Sequence, residues 1–340
     1  MAETTLKQIA DTLGISITTV SKALKNYTDV SPKTKQKVLD LVEELQYTPN
    51  SFAVNLRTKE SKTIGLIIPE VVHHFFSNVV NGIIDQAEKN GYLVFILQSN
   101  ESVELEKKQV ELLINKRVDG ILMSLSNESN DDNHIKEILR RKIPLVQFDK
   151  ISKLIPSSKV IINDQKAAAE AVQHLIDKGC RKIAHIRGPE NPQNAIDRFL
   201  GYKKTLEKNN IPFDSKLVYT CKNVTFEEGI EFAKQITTNH PDVDGIFVIT
   251  DLVAVGVLNY FNEQQINVPK DIAVIGFSNW FMSQVITPKL SSVEQPSYEM
   301  GVCAFNLLLE EMINTKENIL FTPKTIELQT QVIERQSSQK

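Results

Sequence analysis

Apolar positions at the start of the chain recur with helical spacing. Leu6, Ile9, Ala10 and Leu13 stand at i, i+3, i+4 and i+7, the stripe that one helix face buries. Thr5 and Gln8 before them form a T-x-x-Q capping box. Gly14 follows, a residue that tolerates positive φ. Ser16 then caps a second short helix through Leu24, with Val20 and Ala23 or Leu24 facing inward. Ser31-Pro32, a cap followed by an N1 proline, opens a third helix with the stripe Val38, Leu41, Val42, Leu45. Short helices around a tight glycine turn predict a small all-α helix-turn-helix domain over residues 1–48. Residues 49–62, comprising Asn50 to Arg57 and the polar run Thr58 to Lys62, read as a hinge helix and linker too short to be stable alone.

From residue 63 the pattern changes to alternating buried-strand and helix runs. Strands are predicted at Thr63–Pro69, Tyr92–Ser99, Gly120–Leu125, Pro144–Asp149 and Lys159–Asp164, with helices at 76–90, 103–117 and 131–142. The rhythm restarts with helix 166–178 and strand Lys182–Gly188, then helix 194–209, strand 217–222, helix 226–238, strand 244–250, helix 251–264 and strand 272–277. Repeated βα units predict parallel sheets covered on both faces, and two runs predict two doubly wound lobes. Ligands bind beyond the carboxyl ends of such strands, so a cleft between the lobes is the expected site.

Composition narrows the classes. Charged residues at 24% and a net charge of −3 exclude a disordered chain and a globally basic nucleic-acid coat. The split is uneven: residues 1–62 carry +2 and the remainder −5, so a polyanion partner is expected to meet the N-terminal end. No apolar run approaches a membrane span, and Ile246 to Phe261 is interrupted by Asp251. Met1 to Thr5 show no basic stretch leading into an apolar one, so a cytoplasmic location is expected. Cys180, Cys221 and Cys303 form no CxxC or metal spacing and read as small buried hydrophobes.

Candidate chemistry lies first on the second helix, whose outward face presents Ile17, Thr18, Ser21, Lys22 and Lys25. A cation suits guanine O6/N7 or phosphate, hydroxyls suit base edges, and an apolar side chain suits a thymine methyl. Lys33, Lys35 and Lys37 crowd the start of the third helix, where the macrodipole disfavours them unless phosphates are near. His73-His74 and Asp131-Asp132-Asn133-His134 could be imagined as metal pairs, but adjacent residues rarely converge on one ion and no third ligand is near. No metal or cofactor is expected. No GxGxxG after a strand, GxxxxGK[ST] or GxSxG occurs, which argues against an α/β enzyme. The N-terminal module argues against a solute-binding transport protein.

The run TLKQIADTLGISITTVSKAL over residues 5–24 resembles the T-L-x-D-[IV]-A-x-x-[AL]-G-V-S-x-x-T-V-S-R-x-L signature of the lactose/galactose repressor family. Val30 to Thr34 and Tyr47-Thr48-Pro49-Asn50, followed by Ala53 and Leu56, continue it. The match extends through Gly65 to Pro69, Val118-Asp119-Gly120-Ile121, Arg198-x-x-Gly201-Tyr202, Asp251-x-x-Ala254-x-Gly256 and Val268 to Phe277. The resemblance implies an α/β two-lobed periplasmic-binding-protein-like core over 63–340 after the headpiece. The first lobe would hold about 63–160 and 291–324, and the second about 161–290 and 325–340, with crossings near 160, 290 and 325.

It further implies a transcriptional regulator, a repressor, that binds pseudo-palindromic operator DNA as a homodimer, with a tetramer as the alternative, under control of a sugar-like effector. Thr5, Ser16, Ile17, Thr18, Thr19, Ser21, Lys22, Lys25, Lys33 and Asn50 would contact DNA, with Ala53 and Leu56 wedged in the minor groove. Lys22 stands where the family usually has a base-reading arginine and Lys25 where it has asparagine, and the two cations are not interchangeable at a bidentate site. The effector set carried over is Phe75, Ser124, Asp149, Arg198, Asp251, Ser278, Asn279 and Gln295. Trp280, the only tryptophan, follows a strand end and either closes the pocket or packs the core. Ser278-Asn279 replaces the family's paired aspartates and Thr250 its usual asparagine, so lactose-like or purine-like recognition does not transfer.

Overall fold

A computed structural model describes residues 5–47, 60–71, 74–128 and 131–340. Residues 1–61 form one unit and 62–340 another. In the first, α1 (Leu6–Leu13), α2 (Ile17–Leu24) and α3 (Pro32–Glu44) enclose Ile9, Ala10, Val20, Ala23, Val30, Val38 and Tyr47. The capping box forms: Gln8 N–H donates to Thr5 Oγ1 at 3.3 Å, and Thr5 N–H donates to Gln8 Oε1 at 2.7 Å. Gly14 ends α1 at φ +64°, the left-handed turn that lets α2 fold back. One stripe position differs from expectation. Leu45 is exposed, and Tyr47 fills its place in the core, because Gln46 at φ +47° reverses the chain and Tyr47 N–H bonds the Val42 carbonyl at 2.9 Å.

The second unit begins with β1 (Thr63–Ile68), α4 (His74–Lys89), β2 (Leu93–Gln98), α5 (Val103–Lys116), β3 (Gly120–Met123), α6 (Asn133–Arg140), β4 (Leu145–Phe148) and β5 (Ser158–Ile162). It continues through α7 (Asp164–Asp177), β6 (Ile183–Arg187), α8 (Gln193–Lys208), β7 (Val218–Thr220), α9 (Phe226–Asn239), β8 (Gly245–Val248), α10 (Asp251–Glu263) and β9 (Ala273–Ser278). The last elements are α11 (Met282–Val285), β10 (Ser291–Glu294), α12 (Ser297–Lys316), β11 (Thr325–Leu328) and β12 (Gln331–Ile333). The first sheet runs β11-β5-β4-β3-β1-β2, all parallel, and the second β12-β10-β9-β8-β6-β7, parallel except for β12. Every residue of β1, β3, β4 and β8 is buried, as helices on both faces require.

Sheet pairing moves the lobe boundaries. Residues 291–294 were assigned above to the first lobe, yet β10 pairs with β9 in the second sheet; residues 325–328 were assigned to the second, yet β11 pairs with β5 in the first. The chain therefore crosses after Ile162, after Glu294 and between Leu328 and Gln331. A short run such as Ser291-Ser292-Val293-Glu294 carries no local mark of which sheet it joins, because partnership is decided by residues distant in sequence.

Candidate functional site

On the headpiece, Ser16 Oγ accepts from Thr19 N–H at 3.0 Å and so begins α2. Burying Val20 and Ala23 leaves Ile17, Thr18 and Lys25 exposed on the opposite face, with Ser21 and Lys22 half-buried. The Lys22 ammonium pairs with the Asp29 carboxylate, and that hydrogen bond holds Asp29 below the usual carboxylate range. Both partners are open to solvent, so the pair is weak and displaceable by a phosphate or base edge. Lys35 donates to Asn26 Oδ1 at 2.8 Å, while Lys33 and Lys37 are exposed. The Thr5, Ser16 and Thr19 hydroxyls take part in the caps. Asn50, Ala53 and Leu56 lie outside the described residues.

In the core, a cavity of about 370 Å³ is lined from both lobes. It lies beyond the carboxyl ends of β4, β6, β8 and β9, where an open α/β sheet offers a crevice. Phe75, Asp149, Arg198, Asp251, Ser278, Trp280 and Gln295 all face it. Ser124 does not line it; its hydroxyl accepts from Lys150 N–H at 3.4 Å and is fully buried. Asn279 is turned away as well, its amide engaged by Glu294 at 3.0 Å and Arg335 at 2.7 Å.

Asp149 follows β4 at φ +56°, a left-handed conformation that directs a side chain out of the strand end. Asn194 Nδ2, from the other lobe, donates to its Oδ1 at 3.3 Å. Burial raises the Asp149 carboxyl above its ordinary value, against the opposing pull of Arg198 and Lys150. Arg198 Nε donates to Asp164 Oδ1 at 2.7 Å, its Nη1 donates to the Ile249 carbonyl at 3.0 Å, and the guanidinium lies 3.7 Å over the Phe277 ring. Those contacts fix the plane of the guanidinium, which borders the cavity. Burial pushes Asp164 up to about 7, with Arg198 drawing it back down. The R-x-x-G spacing has a direct cause: a Cβ at Gly201 would sit 2.3 Å from the Gln165 carbonyl, so only glycine lets α8 approach α7 closely enough for Arg198 to reach Asp164.

Asp251 has a different character. Its Oδ2 accepts from Trp280 N–H at 2.6 Å and Ser283 Oγ at 2.8 Å, and its Oδ1 accepts from Ser292 Oγ at 2.6 Å. Burial raises it to about 6 and these donors oppose the rise. A Cβ at Gly276 would lie 2.3 Å from Oδ1, so that glycine makes room for the carboxylate. The D-x-x-A-x-G and G-F motifs thus meet at one contact that anchors the turn carrying Trp280. Ser278 Oγ donates to Gln295 Oε1 at 2.9 Å, while Gln295 Nε2 is buried without a partner among the described residues.

Sequence reasoning missed several lining residues. Glu101, Asn127 and Lys150 come from loops whose polar composition carries no period, Asn194 stands in the first turn of α8, and Lys150 could have been found only as the neighbour of Asp149. His74 lines the cavity and contacts the Phe281 ring of the second lobe at 6.0 Å. His134 Nε2 bonds Glu106 at 2.7 Å and Asp132 bonds Ser152 at 3.0 Å, so that run is the polar start of a helix. Among the described residues no group of three His, Cys, Asp or Glu is placed to hold a metal. No helix there is long and apolar enough to cross a membrane. The cysteines are free, with Cys180 and Cys221 buried and Cys303 half-buried.

A helix-turn-helix headpiece followed by a two-lobed ligand-binding core defines a class of DNA-binding regulators. The family model for bacterial regulatory proteins of the lacI family matches residues 5–50, and that for a periplasmic binding protein-like domain matches 172–338. The chain is 32% identical to the HTH-type transcriptional regulator RegA of Clostridium saccharobutylicum, covering 98% of this chain and 99% of that one. It is 33% identical to catabolite control protein A of Priestia megaterium, covering 91% and 92%. Among solved structures it resembles the Lac repressor bound to ONPG in the repressed state (TM-score 0.85, 25% identity, 98% and 99% covered). It also resembles a CelR–cellobiose complex (TM-score 0.75, 25% identity, 98% and 100% covered). The chain belongs to the lacI family and is a DNA-binding transcriptional regulator.

Proposed function

We propose that the protein is a cytoplasmic repressor without enzymatic activity, which binds a pseudo-palindromic operator as a homodimer and responds to a sugar-like effector in the cavity. The observation that carries the effector reading is the approach of Asp149 and Arg198 from opposite lobes to one cavity. A ligand bridging them favours one lobe arrangement by the difference in its affinity for the two. Phe75 and Trp280 offer apolar faces for a sugar ring, Ser278 and Gln295 offer polar atoms, and Asp251 holds the Trp280 turn in place. The solved CelR relative contains cellobiose, which supports a carbohydrate ligand here.

For the headpiece, Ile17, Thr18, Ser21, Lys22 and Lys25 are the base-reading candidates, with Lys33 on phosphate and Asn50, Ala53 and Leu56 at the minor groove. The homodimer is supported by Ile84 on α4, Leu93, Phe95 and Ile96 on β2 and Leu112 on α5, large apolar side chains exposed on one edge of the first lobe. The test begins with duplexes selected from a random library, followed by anisotropy titration with and without sugars. Two chains per selected site and a sugar-dependent shift of about 5- to 150-fold are expected. Binding without sequence preference, or an affinity indifferent to every sugar, refutes the reading.

A further inference from the structure

The charges around the cavity do not balance. Its two strong cations are already matched: Lys150 Nζ lies 2.5 Å from Glu101 Oε1 and 2.7 Å from Asn127 Oδ1, and Arg198 Nε lies 2.7 Å from Asp164 Oδ1. Asp149 and Asp251 are buried acids whose hydrogen-bond partners among the described residues are an amide, a backbone N–H and hydroxyls. His74 contributes no compensating charge, since burial lowers its imidazole below the ordinary value and favours the neutral ring. Protonating Asp164 would free Arg198 yet still leave the buried lining without net positive charge.

Resting on the reading of this cavity as a sugar-type effector site, we propose that it selects uncharged or amino-bearing polyols and excludes their carboxylated and phosphorylated counterparts. An incoming anion would be desolvated beside Asp149 with no unmatched cation among the described lining residues to receive it, whereas hydroxyls can donate to Asp149 and accept from Arg198 and Gln295. An ammonium would meet Asp149 directly.

Calorimetric titration of the full chain tests this with matched sets. Glucose, galactose, mannose, ribose, xylose and cellobiose are each compared with the amino, uronate and phosphate derivatives that exist for them. The expected result is that the best neutral or amino sugar binds at least about tenfold tighter than its anionic counterpart. For Asp149→Asn the neutral sugar should weaken while the neutral-to-uronate ratio shrinks. An anionic member that binds as tightly as its neutral parent overturns the charge selection and leaves the sugar-site reading standing. Failure of every member to bind overturns that reading, and this inference with it.

Discussion

Replacing Gly201 with alanine adds one methyl group at the tightest point between α7 and α8. The new Cβ would stand 2.3 Å from the Gln165 carbonyl oxygen and 2.9 Å from Ala168 Cβ. Ordinary contact requires roughly 1 Å more, and a backbone carbonyl inside a helix cannot swing aside as a long side chain can. Two opposing terms set the size of the effect. Alanine gains about 1 kcal/mol in helix propensity over glycine, and overpacking a tight interior costs about 1–3 kcal/mol. The immovable neighbour favours the upper end, giving a net loss of about 1–2 kcal/mol and a fall in Tm of about 2–8 °C for a core of this size. The larger consequence is local. Separating the helices stretches the 2.7 Å Arg198–Asp164 contact, so the guanidinium loses its fixed plane and effector affinity should fall by about tenfold or more. Scanning calorimetry reads the first effect and titration with the effector reads the second. An unchanged or raised Tm together with normal effector affinity would refute the account of the R-x-x-G spacing.

Arg198→Ala should abolish the effector response in an anisotropy assay while effector-free operator affinity stays within about twofold, since Arg198 belongs to the effector-binding unit and not to the headpiece; a normal response would remove Arg198 from the site. Lys22→Ala should relax preference at one base pair by about 1–3 kcal/mol, whereas Lys33→Ala should weaken all sequences alike and lower the salt slope by about 1. Equal losses on every sequence from both would sink that division of roles. His185 is buried in a stack with Phe247 at 4.7 Å, and burial holds its imidazole down at about 3. The unfolded chain therefore takes up a proton below pH ~6.5 that the folded one refuses, and stability present above that pH is lost on acidification by up to about 1.4 kcal/mol per pH unit. His185→Phe should remove this slope from denaturant-derived stabilities between pH 6.5 and 4.5, and parallel wild-type and variant curves would contradict it.

Legibility varied with the range of the interaction. The stripes at Leu6 to Leu13 and Val38 to Val42, and the buried runs at Thr63 to Ile68 and Ala273 to Phe277, announce their elements because burial imposes a local period. The sheet membership of β10 and β11 was not readable, since it is settled by β9 and β5 rather than by any property of the short strands, whereas residues 331–333 join the second sheet as expected. Motifs were legible as residues but not as chemistry. Asp251 looked like an effector ligand, and only the three donors closing on it show a carboxylate already engaged by the protein itself. Lys150 was invisible because the loop presenting it has no pattern to read, while Asn194 and His74 stand in the first turns of helices where nothing in the sequence marks which residue turns toward a cleft.

The three crossings also set an order of assembly during translation. Everything that closes the described headpiece core lies between Leu6 and Tyr47, so that domain can fold as soon as its own short stretch has emerged. Neither lobe has that freedom. The first sheet waits for β11 at residues 325–328 and for α12, which covers β3, β4 and β5, while the second waits for β10 and β12. A nascent chain therefore displays a finished helix-turn-helix well before it owns a cleft, and for most of its synthesis the apolar faces destined for α12 stand open to the solvent or to a chaperone.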